Sequence, residues 1–158
     1  MRALAIAAPI ALGFLVTGCP AVDWKELQFT RHKPSEQELV GTWRPTAPTL
    51  KEIRGRGHYP VATHEIIVRA DHTFSIRNMP DWWSNGFGES HGQFESSDGT
   101  WQLEARRDVW QIWIVRLHFP SVTTWINLYR QRPPYSIFIR VGDPNNGDAM
   151  FFERSTKA

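Results

Sequence analysis

From His64 onward the chain alternates apolar and polar positions with a period of two, the mark of strands that bury one face. In His64–Ala70, Ile66 and Val68 share a side. In Thr73–Met79, Phe74 and Ile76 alternate against Thr73, Ser75 and Arg77. Thr100–Arg106 sets Trp101, Leu103 and Ala105 against polar neighbours, and Tyr135–Val141 lines up Tyr135, Ile137, Ile139 and Val141. Val109–Phe119 differs. It carries Trp110, Ile112 and Ile114 on one side and Trp113, Val115 and Leu117 on the other, so it is expected to be covered on both faces. Thr123–Arg130 and Asp148–Arg154 complete the set. Turn residues separate the runs at Asp71-His72, Arg107-Asp108, Gln131-Arg132-Pro133-Pro134 and Asp143-Pro144-Asn145-Asn146-Gly147.

Upstream, Ser35 with Glu38 three residues on forms a capping-box pattern, which predicts one short helical turn before a first strand at Leu39–Arg44. Residues 45–60, with three prolines and two glycines, read as a loop, and so do residues 80–98, rich in Gly, Ser and Trp. About eight short strands joined by tight turns, with one helical turn, predict an all-β fold, an antiparallel barrel or sandwich.

The first nineteen residues follow another pattern. Arg2 precedes Ala3–Val16, apolar or small apart from a proline and a glycine. That stretch is shorter than the roughly 20 residues of a membrane span and suits a secretory signal. It ends in Leu15-Val16-Thr17-Gly18-Cys19, which resembles a bacterial lipobox. The resemblance implies that the thiol of Cys19, the only cysteine, is joined to diacylglycerol and that Cys19 becomes the mature N-terminus. The expected organisation is a signal peptide over 1–18, a lipidated tether over 19–34 and a β-domain over 35–158. Pro20 follows Cys19 where Asp would resemble an inner-membrane retention signal. The implied place is therefore the bacterial envelope, at the outer membrane and facing the periplasm.

The net charge is +2 with acids and bases nearly balanced, so nucleic acid is not an expected partner. With Cys19 committed to lipid, no disulfide can form, and the domain stands on packing that eight Trp and nine Phe supply.

Gly41-Thr42-Trp43 opens the first strand just after the capped turn, and is similar to the Gly-x-Trp signature of lipocalins and other calycins. The resemblance implies an up-and-down barrel closed at one end by Trp43. It also implies a basic residue of the last strand, Arg154, across the indole, a contact worth about 0.5–2 kcal/mol. The family's Thr-Asp-Tyr motif is missing, and Gly99-Thr100-Trp101 repeats the triplet. The chain as a whole is similar to small bacterial lipoproteins that combine a Gly-x-Trp start, an Asp-Gly-Thr strand start and a Gly-Asp-Pro turn before the last strand.

Candidate chemistry is sparse. Asp81–Gly88 holds Trp82, Trp83 and Phe87 among glycines. Such a loop lids a cavity or stacks on a sugar ring, or else folds its aromatics onto the barrel. Trp110, Trp113 and Trp125 line a lumen for an apolar ligand, or fill the core. Asp143, Asn145, Asn146 and Asp148 offer oxygen ligands. Gly147 at the fifth position, with no glutamate at the twelfth, favours a plain turn over a calcium site. His32, His58, His64, His72, His91 and His118 show no metal-ligand spacing, and no nucleophile elbow or acid–base pair exists, so no catalytic residue, metal or cofactor is expected. Lys51, Arg54, Arg56 and His58, interrupted by Glu52, read as a solvated basic loop rather than a contact for anionic headgroups. The expected function is that of a lipid-anchored envelope lipoprotein, not an enzyme, whose β-domain binds an apolar ligand, a glycan or another envelope component. The rival is a protein-interaction lipoprotein of immunity or enzyme-inhibitor type, with a periplasmic protein partner.

Overall fold

Period-two alternation produces strands where it is strongest. The computed structural model describes residues 28–57, 59, 62–84, 89–106, 111–142 and 148–155. Its strands are β1 (Gly41–Pro45), β2 (Glu65–Val68), β3 (Thr73–Pro80), β4 (Phe94–Arg106), β5 (Ile112–His118), β6 (Thr123–Tyr129), β7 (Ser136–Arg140) and β8 (Ala149–Arg154). Each pairs antiparallel with the next, and β8 returns to β1 with Trp43 opposite Arg154, closing an up-and-down barrel. Two helices, α1 (Glu36–Leu39) and α2 (Ala47–Gly55), and a 3-10 turn at Asp81–Trp83 decorate it. Because successive strands reverse direction, the β1–β2, β3–β4, β5–β6 and β7–β8 connections gather at one end, here the upper. The lower end carries α1 and the other connections. Among the described residues no helix is long and apolar enough to cross a membrane.

The inward positions fill the barrel's middle. Trp43, Ile66, Phe74, Trp101, Leu117 and Phe152 are each at most 2 % exposed, and burial of such a side chain contributes about 1.5–3 kcal/mol. At the lower end the capping box forms, with Ser35 N donating to Glu38 Oε2 at 2.8 Å. Trp43 Nε1 donates to Leu39 O at 2.9 Å and ties α1 to the core. Arg154 reaches this region differently from the expectation: no cation–π contact joins it to Trp43. Its Nη1 donates to the carbonyls of Gln37 and Glu38 at 3.1 and 3.2 Å. The last carbonyls of a helix lack internal partners and carry partial negative charge, so they are stronger acceptors for a guanidinium than an indole face. The stem of Arg154 passes 3.2 Å from where a Cβ on residue 41 would stand, and Gly41 has φ +147°, so both space and backbone call for glycine.

Three expectations are corrected. Residues 45–60 contain α2 rather than only loop. Pro48 falls in its first turn, where no N–H donor is needed. Thr49 and Ile53, one turn apart, are buried against the barrel. Phe151 N donates to Thr49 Oγ1 at 2.9 Å and Thr46 N donates to Phe151 O at 2.9 Å, so the helix start takes up backbone groups of β8 beyond the end of β1. Second, β4 begins at Phe94, not at Thr100. Its first half is polar because it borders an open groove, not the packed interior.

Third, the wall recruits residues assigned to the tether. Thr30 N donates to Leu128 O at 3.0 Å and Trp113 N to Thr30 O at 2.8 Å, so residues 29–30 form an isolated bridge that links β5 and β6. Phe29 packs outside the barrel with Ile112, Ile114 and Phe138. This is the cover that the two-sided apolar pattern of β5 required. Cys19, His58, Phe87, Trp110, Asp143, Asn145 and Asn146 lie outside the described residues.

Candidate functional site

Unequal strand lengths open the barrel wall at its upper end. β4 has 13 residues and β5 has 7. β5 pairs only with Thr100–Arg106, so Phe94–Gly99 has no partner on that side. β6 meets β7 only where Asn127–Tyr129 face Ser136–Phe138, so residues 123–126 run apart from β7. Between these open stretches lies a groove of about 820 Å³, within the usual range of small-molecule pockets. Ile76, Trp83, Phe119, Ile126 and Ile139 form apolar walls; Glu95, Ser96, Ser97 and Arg140 supply polar groups. The groove continues through the β6–β7 opening to Asn127 and Phe138. A depression of about 830 Å³ at the lower end, lined by Val40, Pro133, Tyr135 and Arg154 among others, borders the carbonyl contacts of α1.

The rim is held by hydrogen bonds. Trp83 Nε1 and Ser84 Oγ donate to Glu95 Oε2 at 2.9 and 3.0 Å. The Trp83 ring lies 6.1 Å from that of Phe119, which in turn meets Phe74 edge-on at 4.9 Å. Asp81 ties its 3-10 turn to residues 59, 91 and 93: it accepts from Tyr59 OH at 2.6 Å, from His91 N at 3.0 Å and from Gln93 N at 3.1 Å. Burial works to raise its pKa, but the bonds from Tyr59, Gln93 and His91 outweigh it and hold the carboxyl below the ordinary aspartate range. Burial and the Asp81 carboxylate together push the Tyr59 hydroxyl up. His91 Nδ1 lies 3.8 Å from Asp81 Oδ2, an oxygen already engaged by two backbone donors.

The sequence-predicted aromatics separate. Trp83 lines the groove. Trp82 does not: it is wholly buried in the core, covered by the Arg56 guanidinium at 4.9 Å, so it folds onto the barrel. Its Nε1 has no acceptor among the described residues. Trp113 is on the inner side at the lower end, under Lys33 Nζ at 5.5 Å. Trp125 precedes the inward Ile126 and therefore points outward. It is 45 % exposed on the groove's rim, with the Arg106 and Arg116 guanidiniums at 5.2 and 6.0 Å. Trp113 and Trp125 thus do not share a lumen, because strand parity puts them on opposite faces. Gly41, Trp43 and Arg154 meet at the lower end, away from the groove.

The basic stretch is also resolved. Arg56 is paired with Glu52 at 2.8 Å and with Asp148 at 2.7 Å, while Lys51 and Arg54 lie exposed on α2. His64 is buried, with Nδ1 against Asn78 O at 2.5 Å. Among the described residues no group of three or more His, Cys, Asp or Glu is placed to hold a metal ion.

Sequence reasoning missed Phe119, Arg140 and Asn127. Asn127 stands between Ile114 and Phe138 in the sheet register. Its Oδ1 is buried without a hydrogen-bond partner among the described residues. A lone amide in Trp125-Ile126-Asn127-Leu128 was the available signal, since an unsatisfied buried polar group costs about 1–3 kcal/mol and calls for a reason. No protein-family model, curated protein or solved structure matches the chain.

Proposed function

We propose that the protein is a lipid-anchored lipoprotein of the bacterial envelope whose barrel binds an apolar or amphipathic small molecule, a lipid or glycan component of the envelope, in the upper groove. The observation that carries this reading is the groove itself: about 820 Å³, walled by apolar side chains, with an unpartnered buried acceptor at Asn127. The up-and-down closure, with Gly41 and Trp43 near the closed end, supports a lipocalin-like reading. The lipobox run ending at Cys19 supports the anchor. The Glu95 carboxylate at the rim is shared between Trp83 Nε1 and Ser84 Oγ, and the reading assigns the groove binding as its task.

Native mass spectrometry of the lipoprotein released from membranes, with tryptophan quenching by brominated fatty acids, tests this. A bound small molecule and saturable quenching are expected. Ile139→Trp fills the groove and should abolish both. Asn127→Leu should weaken binding by about tenfold while stabilising the free protein by about 1 kcal/mol, since one hydrogen bond is lost and one buried orphan removed. Palmitate labelling lost in Cys19→Ser checks the anchor.

A second reading rests on one observation. Val122 and Trp125, the exposed large apolar side chains among the described residues, at 57 % and 45 %, share the groove's rim. A protein partner covering them would use Trp125 as an interface anchor. A stoichiometric protein partner with no bound small molecule and no quenching selects this reading over the first.

A further inference from the structure

The chain joins the barrel at its lower end, and two basic tracts meet there. Arg31-His32-Lys33 follows the bridge at residues 29–30, and Arg130-Gln131-Arg132 leads out of β6. They are stitched together: Arg130 N donates to Gln28 O at 2.8 Å, Arg31 N to Gln131 Oε1 at 3.3 Å and Gln131 Nε2 to Phe29 O at 2.5 Å. Arg31, His32, Lys33, Arg130 and Arg132 are all exposed. Glu153 pairs with Arg130 at 3.3 Å, and the Glu38 carboxylate on α1 is engaged by Ser35 N. Glu36 of α1 lies 3.6 Å from His72. Beside the patch, Lys33 covers Trp113, a cation–indole pair suited to the headgroup level of a bilayer.

We propose that this lower end docks on an anionic phospholipid surface, so that the barrel stands on the bilayer with its groove facing away. The proposal rests on the lipid-anchor reading for its geometry. Cys19 and Gln28 are nine residues apart, and such a chain spans at most about 30 Å. The end of the barrel that receives it is therefore kept near the membrane that holds the lipid. Basic side chains within a Debye length of anionic headgroups are drawn to them. The charge sits where the tether brings the protein close. The cations of α2, Lys51 and Arg54, lie at the opposite end.

Amide hydrogen exchange of the full lipidated protein tests this, in vesicles of phosphatidylcholine alone and with phosphatidylglycerol added. Residues 31–33 and 130–132 should exchange about tenfold more slowly on the anionic vesicles, and high salt should erase the difference. The triple variant Arg31→Glu, Lys33→Glu, Arg132→Glu should lose the protection with unchanged near-ultraviolet circular dichroism. Lys51→Glu, Arg54→Glu should keep it. Equal exchange on both vesicle types, or protection centred on α2, overturns the docking face. Failure of the anchor reads differently: protein without palmitate label that still shows phosphatidylglycerol-dependent protection sinks the anchor and keeps the face.

Discussion

Gly99 sits where β4 passes from pairing with β3 to pairing with β5: Gly99 faces Phe74, and Thr100 faces both Thr73 and His118. A Cβ at residue 99 would overlap the His118 carbonyl and lie 2.6 Å from the Phe74 ring. Gly99→Ala must therefore push a backbone carbonyl or a core ring aside, at about 1–3 kcal/mol. A lower urea midpoint with an unchanged slope is the expected result; an unchanged midpoint would falsify this account of the crossing. Asp81 makes a pH-dependent contribution. Its folded pKa is depressed, so its stabilisation is fully present above the unfolded value, near about pH 4, and is lost as pH falls through the lower folded value. Asp81→Asn should lower stability at neutral pH, with the gap from the natural protein closing in acid. Urea midpoints measured across that range check it, and a gap independent of pH would mean that the carboxylate's charge is irrelevant. Trp82 and Trp83 show the limit of reading single positions. Both were legible as aromatics in an irregular segment. Which one faces the groove depends on a 3-10 turn held by Asp81, through bonds to residues 59, 91 and 93.

At the scale of elements, strands with an alternating pattern were legible because one face meets the core and the other meets water, a local consequence of burial. The pattern failed where an element borders neither a uniform core nor open solvent. The first half of β4 faces the groove and is polar, so Glu95-Ser96-Ser97-Asp98 looked like a loop. In α2 two prolines flank or open the helix, and its inward face is only Thr49 and Ile53, too little for a clear helical period. The N-terminal bridge is invisible for another reason: its partners are distant, with Thr30 bonded to Leu128 98 residues away. Phe29, 4 % exposed, fixes this bridge against Phe138 at 5.1 Å. Phe29→Ala should cost about 3 kcal/mol and should expose the amides of residues 112–114 to exchange. Loss of less than a few tenths of a kcal/mol in denaturation would mean that residues 28–30 are no part of the cooperative unit.

For the whole molecule, closure is the organising fact. β8 joins β1 and removes the two edges that a seven-stranded sheet would present. A chain ended after Val141 lacks β8, exposes β1 and β7, and should associate through those edges. Sedimentation velocity checks this, and a monomeric truncated chain with native circular dichroism would show that closure is dispensable. The all-β class and the order of most strands were legible in the residues alone, because alternation is local and each residue carries its own burial preference. The tertiary structure alone decided that Arg154 serves the carbonyls of α1, that Trp113 and Trp125 part company, and where the wall opens. It also brought Arg31-His32-Lys33 beside Arg130-Gln131-Arg132. These depend on register, strand length and parity between segments far apart in the chain, which are set only when the barrel closes.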